Sequence, residues 1–378
     1  MANVLDLKRR IRSVRNTRQI TKAMKMISAA KLRKAQERAL ASRPYSQMMA
    51  SVIQSLMRRM DAYDPTTGEV RHPMLVPREE KNIVIVVVSG DKGFAGGFNT
   101  NITKAAYKFL DARGEKNIDL EPIGRKARDL FRKRYPAARV EDEPANERFD
   151  RMAASNPEMT NAMAAPEEGD TVRKRVERSA PIEVTGDHPG LLENLHFPAV
   201  SEIGDDIVQR YIDGEIDAAY VVFNEFKSVI SQRVVMQRIL PVLDPGKEEP
   251  QGLMEIPAEE RTRAGEAAMS AGVSTQEPDT SEADEEAKKF GTADVDYIYE
   301  QPPAEMLASL LPRYVTTELY HAMIESVAAE HAARMTAMDS ATNNASDMID
   351  TLTLNMNRVR QAAITNEIIE IVSGAAAL

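Results

Sequence analysis

An α/β chain whose two ends pair as a coiled coil beside a central, partly doubly wound sheet is the fold class that three features of these 378 residues predict. Residues 4–42 and 313–373 contain neither Pro nor Gly and are built from good helix formers. In both runs apolar residues recur at steps of three and four, the spacing of a seam between helices. Between them, β-branched runs alternate with helical stretches around a Gly-rich turn.

Val4, Leu7, Ile11 and Val14 open the first seam; the register then slips, and Ile20, Met24 and Ile27, then Leu32, Ala35 and Ala39, resume it. Pro44 predicts a kink or break, after which Met48, Val52, Leu56 and Met60 rebuild a stripe. A helix of about forty residues runs roughly 60 Å, longer than a small domain is wide. The continuous β-branched run 83–89 reads as a buried strand that ends in the turn SGDKGFAGGFN. A helix at 102–113, a strand at 119–123 and a helix at 126–135 follow, then a helix at 203–213, a strand at 218–224 and an alternating stretch at 229–239 that closes a hairpin. In the last helix Ala345, Ile349, Leu352, Met356, Val359 and Ala363 keep the same steps, with Pro312 tolerable if the helix effectively starts there. Neither long helix can bury its stripe alone, so the two most simply pair with each other, and small seam residues favour a slender shaft. The divisions expected are 1–76, 77–245 with an acidic insertion at about 137–180, 246–296 as an acidic low-complexity insertion, and 297–378. Both insertions read as loops.

Composition removes several function classes. The chain has no Cys, which excludes disulfides, thiolate metal sites and a catalytic thiol. No apolar run approaches the ~18–20 residues of a membrane span, and the basic first residues lack the apolar core of a secretory signal. The net charge of −9 hides a strong polarity: residues 1–43 hold thirteen Lys and Arg against only Asp6 and Glu37, whereas 141–170 and 245–296 are strongly acidic. A basic helix of this kind serves nucleic acid, an anionic membrane surface or an acidic protein. Residues 1–43 contain no aromatic side chain to stack on bases, and their apolar face is too narrow for a membrane helix. An acidic protein surface fits best.

The Gly-rich turn Gly90-Asp91-Lys92-Gly93-Phe94-Ala95-Gly96-Gly97 stands where phosphate loops stand, between strand and helix. It matches neither dinucleotide nor P-loop spacing, and Lys92 falls inside the loop rather than at the helix start, so a tight structural turn is the favoured reading. Asn99 is positioned to cap the next helix. The five histidines show no metal-binding spacing, and no nucleophile–base pair is legible. No cofactor, metal or catalytic residue is expected. A nucleotide-dependent enzyme with helical arms and a nucleic-acid-binding coiled coil are the competing classes; the first requires nucleotide binding, the second steeply salt-dependent binding to a duplex.

The segments IRSVRNTRQITKAMKMISAAKLRKAQ (11–36) and RQAAITNEIIEIVSGAAAL (360–378) resemble the γ subunits of F-type ATP synthases. SRPYSQMM, SGDKGFAGGFN, DYIYEQPP and EHAARMTAMDSATNNASDMI match in the same order, so the resemblance covers roughly 1–136, 181–245 and 295–378. It implies a long antiparallel coiled coil of N- and C-terminal helices with a Rossmann-like α/β domain at its foot. It also implies a non-catalytic rotor that turns inside an α3β3 ring and is seated, with the ε subunit, on the membrane c-ring. By the resemblance, Arg360 and Gln361 contact the catch loops of the β subunit, and Lys22, Met24 and Lys25 face its acidic lever. Ala363, Ala375, Ala376, Ala377 and Leu378 suit a smooth bearing at the tip. The implied location is the cytoplasmic face of the bacterial inner membrane, without nucleic acid as partner. The two acidic insertions lie outside the shared pattern.

Overall fold

A computed structural model of the chain describes residues 4–59, 72–144, 146–147, 149–150, 171–175, 178–246, 250–276 and 303–376. Its elements in order are α1 (Val4–Arg59), β1 (Asn82–Val88), α2 (Phe98–Ala112), β2 (Asn117–Ile123), α3 (Arg125–Arg134), β3 (Val140–Pro144), β4 (Thr171–Arg175) and β5 (Ile182–Val184). They continue with α4 (Phe197–Ile212), β6 (Ala218–Phe226), β7 (Gln232–Leu240), β8 (Gln251–Glu255), α5 (Ala258–Ala271) and α6 (Pro303–Ala376).

The main sheet runs β5-β2-β1-β6-β7-β8, with β5, β2, β1 and β6 parallel and β7 and β8 added antiparallel. β1 is central and buried on both faces, which explains its unbroken β-branched run. On one face α2 and α3 cover Ile83, Ile85 and Val87 with Phe98, Ile102, Leu110 and Phe131. On the other, α4, the last turns of α1 and the first turns of α6 cover Val84, Val86 and Val88 with Ile53, Leu56, Ile207, Leu311 and Leu319. The sheet is therefore doubly wound, as expected. It is also joined to the shaft, because the two long helices form one of its outer layers before leaving it as a pair.

Five sequence expectations are corrected. The chain does not break at Pro44: α1 is one element from Val4 to Arg59, held beyond the proline by burial of Met49, Ala50, Ile53 and Leu56. Likewise α6 begins at Pro303 and carries Pro312 inside it. Asn99 is not a cap; α2 starts one residue earlier, and the Asn99 side chain instead accepts from the Gly90 amide at 2.9 Å. The insertion 246–296 is not simply a loop, since β8 extends the sheet and α5 packs on the shaft. The ends of the insertion 137–180 pair as the antiparallel ribbon β3–β4. Residues 151–170, 277–296, Ala377 and Leu378 lie outside the described residues.

Candidate functional site: the two-helix shaft and its anchorage

Ala29 of α1 is buried in the cluster with α5, and along the seam itself the buried positions up to Ala35 are Leu7, Ile11, Thr21, Lys25, Ser28, Leu32 and Ala35, with Val14 and Arg18 half-buried. These follow an uninterrupted three–four alternation, so the expected slip in register does not occur. The seam passes through polar residues, and the apolar ones expected there turn outward: Ile20 is 60% and Ile27 57% exposed. Thr21 and Lys25 are both matched across the pair, which helps the phase survive. Thr21 and Thr342 share a hydroxyl hydrogen bond of 2.8 Å. The Lys25 ammonium donates to Asp339 and to Ser270 of α5, each at 2.7 Å. A constant three–four count through positions 18, 21, 25 and 28 was the signal available for this seam.

Thr21 opposite Thr342 and Lys25 opposite Asp339 make the pair antiparallel. Counting back along both helices places Val4 opposite about Val359. Burial on α6 fades accordingly: Ala345 and Ile349 are buried, Leu352, Met356 and Val359 half-buried, and every residue from Arg360 to Ser373 exposed. The last turns of α6 thus project beyond the start of α1 as a single helix roughly 25 Å long. This helix shows Ile364, Ile368, Ile369, Ile371 and Val372 to solvent.

Of the residues singled out from the sequence, Arg360 and Gln361 stand exposed where the pair becomes one helix. Ala363 and Ala375 are exposed on the projecting part, Ala376 ends it, and Ala377 and Leu378 are outside the described residues. Lys22 is exposed and Met24 half-buried, but Lys25 turns into the seam and is not on the face of Lys22. Replacing Lys25 by Ala leaves Asp339, 15% exposed, without its cation, an expected loss of about 1–3 kcal/mol in urea unfolding of the whole chain. The double change Lys25→Leu with Asp339→Leu removes both charges and is expected to recover most of that loss.

Where the shaft meets the α/β domain, α6 grips the Gly-rich turn. Glu330 and Arg334, one helical turn apart and both under 9% exposed, form an ion pair. The Arg334 guanidinium also reaches the Gly93 carbonyl at 3.4 Å. A side chain at Gly90 would place its Cβ 2.7 Å from the Glu330 carboxylate, so only glycine lets the turn seat against the helix. Burial pushes the Glu330 carboxyl above its ordinary range, an effect that Arg334 opposes. Sequence reasoning reached the turn but not its partners, which lie some 240 residues away.

Just above this grip α5 lies across both shaft helices. Ala264, Ala268 and Ala271 pack with Ala29, Leu32, Ala35, Ala328, Ala332 and Met335, and Arg33 donates to the Gly272 carbonyl at 2.6 Å. Small side chains let three helices approach closely here. Among the described residues no cluster of metal-ligating side chains occurs, and no helix is long and apolar enough to cross a membrane.

The family model for ATP synthase matches residues 3–170 and 168–378. The chain is 41% identical to the ATP synthase gamma chain of Solibacter usitatus over 377 residues, covering all of this chain and 99% of that one. It is 35% identical to the gamma chains of Anaeromyxobacter sp. (strain Fw109-5) and Pelotomaculum thermopropionicum, each covered in full. Its fold is similar to a chain of the mitochondrial ATP synthase of Euglena gracilis, solved as OSCP/F1/c-ring in rotational state 3, with a TM-score of 0.51 at 13% identity over 99% of this chain and 94% of that one. With a seam, a projecting tip and a gripped α/β foot in one continuous chain, and with relatives matched from end to end, the chain belongs to the ATP synthase gamma chain family.

Proposed function

We propose that this chain is the central rotor shaft of a proton-transporting ATP synthase, a non-catalytic subunit that couples turning of the membrane c-ring to the conformational cycle of the catalytic β subunits. The single observation that carries this reading is the shape of the shaft. Two helices locked in register lead from a buried anchorage in the α/β domain to an unpaired, apolar tip. A rotating element needs length, torsional stiffness and many weak contacts, so that no angle becomes a trap. The exposed Ile side chains of the projecting helix supply non-directional contact of that kind, on which a surrounding α3β3 ring can slide.

Torque requires contacts off the axis. Arg360 and Gln361 are exposed where the single helix begins, and they are placed to meet the β-subunit catch loops. Lower down, Lys22 stands exposed on one flank of α1 and Ile20 and Ile27 on the other, basic and apolar contacts suited to the acidic lever of β. Lys25 is omitted from that contact because it is bonded to Asp339. The foot, built on the doubly wound sheet, is the part that meets the ε subunit and the c-ring. The complex is membrane-associated through those partners, and its expected location is the cytoplasmic face of the bacterial inner membrane.

Arg360→Ala in the reassembled complex tests the upper contact. The change removes a guanidinium able to hold a carboxylate with two hydrogen bonds, on the order of 1.5–3 kcal/mol. Proton-driven ATP synthesis is expected to fall while the isolated chain unfolds at the same urea concentration as the unmodified one. Undiminished synthesis would refute the assignment of Arg360.

A further inference from the structure

We propose that the cleft between α1, the Gly-rich turn and the loop before α4 binds a phosphorylated small molecule of nucleotide size. The cleft has a volume of about 480 Å³, within the range of small-molecule sites. It lies beyond the C-terminal end of β1, walled by the turn that follows this strand, the loop before α4, and the helices α1 and α6.

Its α1 wall carries Lys31, Lys34 and Arg38, spaced three and four apart on one face of the helix. Lys34 and Arg38 have no acidic partner among the described residues, and Lys31 acts on Glu193 through its charge, whereas the other cations of the cleft are directly engaged: Lys92 with Glu193 at 2.9 Å and Arg334 with Glu330. His331 lines the same cleft. Burial lowers it to about 4, and Arg334, Lys31 and Lys92 push in the same direction. Lys34 and Arg38, with Lys31 beside them on the same wall, suit the acceptor oxygens of a di- or triphosphate.

The opposite wall asks for something else. Asp91 accepts from the Gly190 amide at 2.7 Å and the Arg125 amide at 3.1 Å through Oδ1, while its Oδ2 is buried with no hydrogen-bond partner. A buried carboxylate oxygen needs a donor. A nucleotide meets both demands, its phosphates facing α1 and a ribose hydroxyl donating to Asp91. The carboxylate side chains of an acidic peptide offer acceptors alone, so such a peptide would have to donate to Asp91 through a backbone amide. The phosphates would be held by side chains of α1 rather than by loop amides, so the Gly-rich turn has no reason to follow dinucleotide or P-loop spacing.

Calorimetric titration of the full chain at fixed ionic strength with ATP, its dideoxy analogue, pyrophosphate and oligoglutamate tests the assignment. Saturable binding of ATP in the millimolar range or tighter is expected, weaker for the dideoxy analogue. At least a tenfold loss (about 1.4 kcal/mol) is expected in the exposed-surface variant K34E/R38E, with K34Q/R38Q as the milder pair should reversal disturb folding. Absence of saturable heat, or unchanged affinity in a folded variant, overturns the site. Equal binding of oligoglutamate overturns it in favour of an acidic protein segment, and equal binding of the dideoxy analogue overturns the role of Asp91.

Discussion

Gly124→Ala is expected to lose about 4 kcal/mol of stability or more, enough to unfold a large share of the chain at physiological temperature. Gly124 joins β2 to α3 with φ of +86° and ψ of +151°, a conformation essentially closed to residues with a side chain. The added Cβ would stand 2.0 Å from the Ser89 carbonyl oxygen, which is backbone and cannot swing aside. Ser89 is itself fixed by the Ile123 carbonyl, which accepts from its amide at 2.9 Å and its hydroxyl at 3.1 Å, and its hydroxyl oxygen accepts from the Ala127 amide at 2.9 Å. The ends of β1 and β2 would therefore have to separate, disturbing the most buried strands of the sheet. Urea unfolding checks this, with Gly114→Ala as control, where the nearest atom to the added methyl is 4.0 Å away and φ is ordinary. A Gly124→Ala midpoint equal to that of the control would contradict the argument.

Arg334→Ala is the second large effect, an expected loss of about 3–5 kcal/mol, because it leaves the Glu330 carboxylate buried without its cation. The loss should depend on pH with a defined sign. Glu330 already sits above the ordinary carboxylate range through burial, and loss of Arg334 raises it further. A carboxyl raised in the folded state binds more protons there than in the unfolded chain, so its stabilising effect is full at acid pH and falls as pH rises. His331 adds to the same trend, since Arg334 helps to depress it and its removal eases protonation in the fold. The difference between variant and unmodified chain should thus be small near about pH 5 and large near about pH 8. Glu330→Gln also leaves a buried charge, that of Arg334, but removes the titrating carboxyl, so its loss should lack this dependence on pH. A pH-independent deficit would show that Arg334 acts through packing alone. In the assembled motor the same variant should slip, since this grip fixes the Gly-rich turn to the shaft.

Much of this architecture is written locally in the chain. The two Pro- and Gly-free runs declare themselves as helices, and the apolar run at β1 declares a strand buried on both faces. Elements that escaped were those without a hydrophobic pattern. α5 buries only Ala264, Ala267, Ala268 and Ala271, so its segment reads as low-complexity sequence. β8 is a half-exposed edge strand of sequence QGLME, and β5 has three residues. The seam was misread because apolar character was followed instead of helical phase. Thr21 and Lys25 hold core positions since their partners lie on α6 and α5, and no local pattern announces a partner more than two hundred residues away. The grip of Glu330 and Arg334 on the turn is non-local in the same way. The partner-facing residues were reached by resemblance and not by pattern, because an exposed arginine on a helix carries no local mark of what it will touch.

The antiparallel pairing of α1 with α6 also has a consequence for biosynthesis. Thr21 leaves the ribosome 321 residues ahead of the threonine it bonds. At ordinary translation speeds of about 5–20 residues per second, α1 waits roughly twenty seconds to a minute before its mate exists. Throughout that interval a nascent helix with thirteen cations near its end and an uncovered stripe is exposed to nucleic acid and to other unfinished chains. The intervening sheet can assemble in the meantime, but the face covered by α4 and the end of α1 stays incompletely covered until the first turns of α6 arrive. Completion of the polypeptide and closure of the rod are therefore nearly one event, and a messenger truncated late yields a species whose first helix has nothing to wind upon.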